Sequence, residues 1–160
     1  VYRIRSIEPD DNAALATIIT EVLASYGAVG DGYACADPEI QDMYGAYSRS
    51  GFGYYVLANA DNIACGGGGF GALKDAPEGT CEIQKMYFLP SARGLGFGKQ
   101  ILHLAVSGAR KAGYSYAYLE TLPHMVEAIA LYQQCGFQRL NSPLGSTGHH
   151  KCPVWMGIQL

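Results

Sequence analysis

The chain has no excess of positive charge: eleven lysines and arginines stand against fourteen aspartates and glutamates, a formal net charge of -3. The surface as a whole is therefore no basic footprint for nucleic acid. Paired cysteines are missing too, because Cys35, Cys65, Cys81, Cys135 and Cys152 are odd in number, widely spread and form no CxxC. That usage suits reduced thiols in the cytosol, with four of the five serving as small core residues. Long apolar runs are absent. Ala13 to Ala24 is interrupted by Thr17, Thr20 and Glu21, well short of the roughly 20 residues that a membrane span needs. The first eleven residues carry Arg3, Arg5, Glu8, Asp10 and Asp11 where a secretory leader would place its apolar core. A cytoplasmic protein with no membrane contact is expected.

Glycine and tyrosine are plentiful instead, at 21 and 12 of 160 residues. They suggest close backbone approaches and a polar-aromatic pocket. With 49% hydrophobic residues, the length fits one domain over residues 1–160, with a core that needs no staples.

Periodicity orders the elements. Tyr2 to Ser6 alternates as a strand, and Ala14, Leu15, Ile18, Ile19, Val22 and Leu23 form the apolar stripe of a helix. A loop over Gly27 to Asp37, mobile or ligand-facing, leads to a weak helix from Pro38 to about Arg49. Tyr54 to Ala58 and Ile63 to Leu73 read as a hairpin, and Cys81 to Leu89 as the next strand. A helix then runs from Leu95 or Gly96 to Lys111, followed by a strand at Tyr114 to Thr121. A helix from Pro123 to Gln134 and strands at Phe137 to Leu140 and Val154 to Leu160 complete the pattern. This order predicts an α+β domain with one mixed sheet flanked by helices.

The most specific chemistry sits at Arg93-Gly94-Leu95-Gly96-Phe97-Gly98-Lys99, between a strand and a helix. Glycines there let consecutive N–H groups surround an anion at the positive end of the helix dipole. A Walker loop fails on the letters, because Arg93 stands where its first glycine belongs and Gln100 follows Lys99. The dinucleotide pattern GxGxxG also fails here. It fits Gly66, Gly68 and Gly71, but a turn with Pro77 follows instead of a helix. Gly66 to Gly69 therefore reads as a flexible or bulged strand, with the side of an acceptor pocket as its alternative role.

The stretch Glu82-Ile83-Gln84-Lys85-Met86-Tyr87-Phe88-Leu89-Pro90, followed by Arg93-Gly94-Leu95-Gly96-Phe97-Gly98, resembles the acetyl-CoA motif of the GNAT N-acetyltransferase superfamily, whose loop has the form Arg/Gln-x-x-Gly-x-Gly/Ala. Ala128 to Phe137 resembles its second motif, an Ala-x-x-x-Tyr helix ending in Gly-Phe. The resemblance implies a GNAT-like α+β fold, with a single mixed, mostly antiparallel sheet of six to seven strands and about four helices. It implies an acyl-CoA-dependent N-acyltransferase that moves acetyl from acetyl-CoA to a primary amine of a small molecule or amino-acid-like acceptor. Relatives are often dimers, so a homodimer is compatible with it. A catalytically silent acyl-CoA sensor is the alternative, since fold does not guarantee activity.

Transfer needs a base for the amine, donors for the oxyanion and an acid for the thiolate. On the resemblance, Glu82 is the candidate base, often acting through water, and Tyr132 the candidate acid. The main-chain N–H near Met86 would serve the oxyanion, and Met86, Tyr87 and Phe88 would line the pantetheine path. Arg93, Gly94, Leu95, Gly96, Phe97, Gly98 and Lys99 would cradle the phosphates. Where many relatives carry Asn seven positions before the tyrosine, this chain has Met125. Glu120 is a reserve base, and the His149 to Lys151 loop a candidate wall of the acceptor pocket. His149, His150 and Cys152 lack the fourth ligand of a zinc site, so no metal is expected.

Overall fold

A computed structural model describes all residues 1–160. Seven strands form one mixed sheet: β1 (Arg3–Ser6), β2 (Gly53–Ala58), β3 (Ala64–Ala72), β4 (Thr80–Phe88), β5 (Tyr116–Thr121), β6 (Gln138–Arg139) and β7 (Val154–Gln159), in the order β1-β2-β3-β4-β5-β7-β6. Every pairing is antiparallel except β4 with β5. The four helices are α1 (Asn12–Ser25), α2 (Met43–Tyr47), α3 (Phe97–Lys111) and α4 (Val126–Gln134). None is long and apolar enough to cross a membrane.

The apolar stripe of α1 buries Leu15, Ile18, Ile19, Val22 and Leu23 in one cluster with Met43 and Tyr47 of α2 and Tyr54 and Val56 of β2. On α3, Leu102, Ala105 and Ala109 join a second cluster with Cys81 and Ile83 of β4 and with Ile129 and Tyr132 of α4. Arg110 and Lys111 stand at the negative end of α3.

Four expectations change in the structure, the first being the helix expected from Pro123, which begins only at Val126 after a turn over Pro123 and His124. The helix expected from Pro38 to Arg49 is a 3-10 turn, Pro38–Gln41, then a break at Asp42, then the short α2. Asp42 ends the first piece by capping the second, its carboxylate accepting the Gly45 N–H at 2.9 Å. The strand expected from Phe137 shrinks to Gln138–Arg139, because the Phe137 N–H bonds the Tyr132 carbonyl at 3.0 Å and closes α4. All five cysteines are free, but three are buried rather than four, since Cys35 and Cys135 are only half-buried.

The glycine run of β3 is a buried strand with a bulge. Gly69 faces Gln84 and Gly67 faces Tyr87, so Lys85 and Met86 share Gly68 as their single opposite. Side chains could not fit on the run: a Cβ on Gly67 would lie 2.6 Å from a Tyr54 ring carbon, and one on Gly71 2.5 Å from Phe52. Lys85 takes the cost of the bulge with φ +53, a left-handed conformation that non-glycine residues seldom adopt.

Candidate active site

The site lies where the sheet opens. β4 and β5 pair only through Thr80, Cys81 and Glu82 against Tyr116, Ala117 and Tyr118, and beyond Glu82 the two strands part. A cleft of about 600 Å³ opens beside this fork. Met86, Tyr87 and Phe88 line it from β4, Ala128, Leu131 and Tyr132 from α4, and Arg93, Gly94, Gly96, Phe97 and Gly98 from the loop that enters α3.

At that loop the main chain is left open. The Arg93 N–H bonds the Pro90 carbonyl at 3.2 Å, and the next N–H to find a partner is Gln100's, to Gly96 at 3.3 Å. The N–H groups from Gly94 to Lys99 are thus available to a ligand, at the N-terminus of a helix whose dipole favours negative charge. Gly94 and Gly96 adopt φ +73 and +84 and would have no neighbour within 4 Å of a Cβ, so backbone conformation rather than space calls for glycine. The Arg93 Nε–H donates to the Phe88 carbonyl at 2.9 Å and ties the loop to β4. Leu95 and Lys99 are outside the cleft lining, and Leu95 is 55% exposed; what they offer is main-chain N–H groups.

The bulge decides what each residue of β4 faces. Met86 turns toward α3, where it packs with Ile101 and Leu102, while Glu82, Gln84, Lys85 and Tyr87 border a second, small chamber. Glu120 and Thr121 of β5, Met125, His149 and Cys152 complete its polar and apolar walls. Tyr87 and Met125 line both spaces, so the chamber adjoins the cleft across those two side chains.

Inside the chamber Glu82 is 5% exposed. Its Oε1 accepts from the Gln84 amide at 2.6 Å, and Gln84 in turn accepts from the Tyr47 hydroxyl at 2.6 Å. Burial lifts the Glu82 carboxyl to about 7, and Glu120 adds to the rise; His149, the Gln84 amide and Lys85 pull the other way. A carboxyl in that range is ionised in a good fraction of molecules at neutral pH and still binds a proton readily. The Tyr132 phenol is buried and its pKa is raised by desolvation, so it stays protonated and able to donate.

Residues without a motif complete the chamber. Asp37 accepts hydrogen bonds from Lys85 Nζ at 2.9 Å and from His149 Nε2 at 2.8 Å, while Glu120 accepts from the Thr147 hydroxyl. Sequence reasoning missed Asp37 and Lys85. The one local signal was a third polar side chain, Lys85, directly after Gln84, where the alternation of Glu82, Ile83 and Gln84 calls for an apolar one. Glu82, Glu120 and His149 each bring a ligand atom within 4.8 Å of the others, whereas His150 and Cys152 stay outside that group.

Residues 19–137 match the model of the Acetyltransferase (GNAT) family. The chain belongs to the GNAT acetyltransferase family. Over 153 residues this GNAT chain is 42% identical to the uncharacterized N-acetyltransferase YjgM of Escherichia coli K12, an alignment that covers 95% of this chain and 91% of YjgM. It is 32% identical over 127 residues to the IAA acetyltransferase of Azospirillum brasilense, covering 75% and 82% of the two chains. Solved structures share the fold. A GNAT acetyltransferase from Staphylococcus aureus Mu50 superimposes with TM-score 0.86 at 16% identity, covering 100% of this chain and 99% of that one. YncA of Salmonella typhimurium, solved with acetyl-CoA, gives 0.75 at 20% identity, covering 100% and 94%. The expected fold class is therefore established, and the GNAT chain is an acetyltransferase.

Proposed function

We propose that this GNAT acetyltransferase moves the acetyl group of acetyl-CoA directly onto a primary amine of a small or amino-acid-like acceptor, with both substrates bound together. The observation that carries this reading is the pairing of two spaces across Tyr87 and Met125: a long cleft ending in free N–H groups, and a chamber holding a buried carboxylate. The cleft suits a ligand with an elongated arm and a phosphate end. That YncA binds acetyl-CoA on the same fold supports the choice of cosubstrate.

Within this reading each residue has a chemical task. Gly94 to Lys99 offer main-chain N–H groups to the phosphates, and Met86 and Phe88 offer main-chain groups to the extended arm, as an added strand would use. Glu82 takes the proton that the amine nitrogen gives up as it bonds to the thioester carbon. The main chain near Met86 donates to the oxygen on which charge develops. Tyr132 gives its phenolic proton to the sulfur as the carbon–sulfur bond breaks, and recovers one from water.

The test is isothermal titration with acetyl-CoA beside ATP, followed by a screen of amines for thiol release. Micromolar binding of acetyl-CoA, weakened in Arg93→Ala and not matched by ATP, with amine-dependent thiol release, is the expected result. Absence of acetyl-CoA binding would overturn the reading, and binding without thiol release for any amine would leave a sensor in its place.

A further inference from the structure

Four charged groups form a chain that ends on Glu82. It begins at the β4 bulge, which turns Lys85 into the chamber, where its ammonium meets Asp37 at 2.9 Å and Glu39 at 3.9 Å. Asp37 in turn accepts a hydrogen bond from the His149 Nε2–H, with its two oxygens at 2.9 and 2.8 Å. The loop before β7 fixes the same histidine from behind, its main-chain N–H donating to Thr147 Oγ1 at 3.0 Å. The other ring nitrogen, Nδ1, is left 4.0 Å from Glu82 Oε2.

The chemistry of these groups fixes the tautomer. A carboxylate only accepts, so Asp37 holds a proton on Nε2 in every state of the ring, and any second proton must sit on Nδ1, facing Glu82. Glu82 and Nδ1 thus compete for one proton, and the Asp37 charge stabilises the state in which the imidazole has it.

We propose that His149, charged and oriented by Asp37, is a positioning residue that keeps Glu82 ionised and so sets the pH at which the enzyme begins to work. The inference rests on Glu82 being the base. Before the reaction the shared proton lies on Nδ1, and Glu82 is free to accept the proton released by the amine. Burial alone would lower the imidazole pKa, yet Asp37 and Glu82 outweigh it and the net direction is upward. On the Glu82 side, His149 is the largest influence opposing burial.

Other charges around the pair act in known directions. From β4, Lys85 favours the Glu82 anion and disfavours the His149 cation. From β5, Glu120 raises Glu82, and the Tyr118 phenol adjoins both carboxylates. Cys152 borders the chamber as a protonated thiol, pushed up to about 12 by burial and by Glu120, Asp37 and Glu82. From α2 the Tyr47 hydroxyl reaches the pair only through Gln84.

The experiment uses the full chain with His149→Gln and Asp37→Asn, an amine identified by thiol release, and histidine labelled with 15N. The wild-type kcat/KM is expected to rise through a midpoint near 7. In His149→Gln that midpoint moves up by about one pH unit, as loss of a cation within reach of a carboxylate predicts, while acetyl-CoA affinity, which depends on a cleft that His149 does not line, stays within about threefold. Asp37→Asn moves it the same way by less. In the wild type the His149 ring titrates above the ordinary 6.5 with its proton on Nε2, and Asp37→Asn brings it down. A His149→Gln profile that superimposes on the wild type, or a ring titrating at or below 6.5, overturns the proposal. The spectra of the wild type decide it even if a variant fails to fold. If Glu82→Gln keeps the pH rise, the base reading falls instead; if Glu82→Gln abolishes it and His149→Gln leaves it unmoved, only the role of His149 falls.

Discussion

β4 changes character at Lys85. Beyond the bulge, Met86 to Phe88 face an apolar cleft and what they can offer a ligand is main chain; before it, Glu82 and Gln84 present polar side chains to a chamber tied together by Asp37, Glu120 and His149. One strand therefore serves two kinds of recognition. The cleft depends on geometry that many side chains would tolerate. The chamber depends on the identity and protonation of particular side chains, and substitutions in the two regions should fail in different ways.

The largest effect is expected at Glu82. Glu82→Gln should lower kcat/KM by about 10³-fold, within the range of general-base catalysis, while acetyl-CoA affinity stays near the wild-type value and the rise of rate through pH 7 disappears. Rate profiles with titration of acetyl-CoA check all three. The same variant should change stability with the opposite sign. Burial lifts the Glu82 carboxyl to about 7 in the fold against an ordinary 4.5, so its contribution to stability is intact below 4.5 and lost as pH rises through 7. At pH 8 the buried charge costs on the order of 3 kcal/mol, which glutamine avoids. Thermal unfolding should find Glu82→Gln more stable than wild type at pH 8 and nearly equal to it at pH 4. Equal stability at both would mean that the carboxylate is better solvated than its burial implies.

Tyr132 sharpens the comparison because it lines the cleft yet is assigned a chemical role. Tyr132→Phe keeps the ring that packs near Phe137, with centroids 6.0 Å apart, and removes only the hydroxyl. A loss of about 10²-fold in kcat is expected, typical of removing a general acid, with acetyl-CoA affinity unchanged. Steady-state kinetics beside titration calorimetry separate the two quantities, and an unchanged kcat would return Tyr132 to a packing role.

The cleft was legible in the sequence, whereas the chamber was legible only as separate candidates, Glu82, Glu120 and the His149 loop, with nothing to join them and without Asp37 or Lys85. Arg93 to Lys99 and the helix after them are neighbours along the chain, and the conformations of Gly94 and Gly96 follow from their lack of a Cβ. Glu82 and Tyr132 were reachable through motifs. Asp37, Glu120 and His149 come from three distant segments, and only the splay of β4 from β5 and the loop before β7 bring them together. Lys85 was hidden for another reason. Alternation along a strand assigns faces by parity, and a bulge breaks parity at the residue that carries it. The glycine run of β3 reads from the sequence as a flexible or bulged strand; the bulge is there, but the packing of Tyr54, Phe52 and Phe88 against the run is not something the letters tell.

The smallest predicted effect separates two of the three glycines of the motif, Gly96 and Gly98. Gly96 has φ +84 and open space around it, so Gly96→Ala puts a side chain into a left-handed conformation without a clash. The strain is about 1–2 kcal/mol, relieved by rotating the peptide and turning N–H groups away from the cleft, and acetyl-CoA affinity should fall about tenfold. Gly98 lies inside α3 with ordinary helical backbone, and a Cβ there would meet the end of the Leu131 side chain at 3.3 Å and the Phe88 ring at an ordinary 3.9 Å. Leucine can yield by a few tenths of an ångström, and alanine is the better helix former by nearly 1 kcal/mol. Gly98→Ala should therefore hold acetyl-CoA within about threefold of wild type and unfold at the same temperature or slightly higher. Titration calorimetry of the two variants side by side is the check. Equal losses would mean that the ligand closes on the α3 N-terminus too tightly for any Cβ, and that steric fit rather than backbone conformation governs the loop.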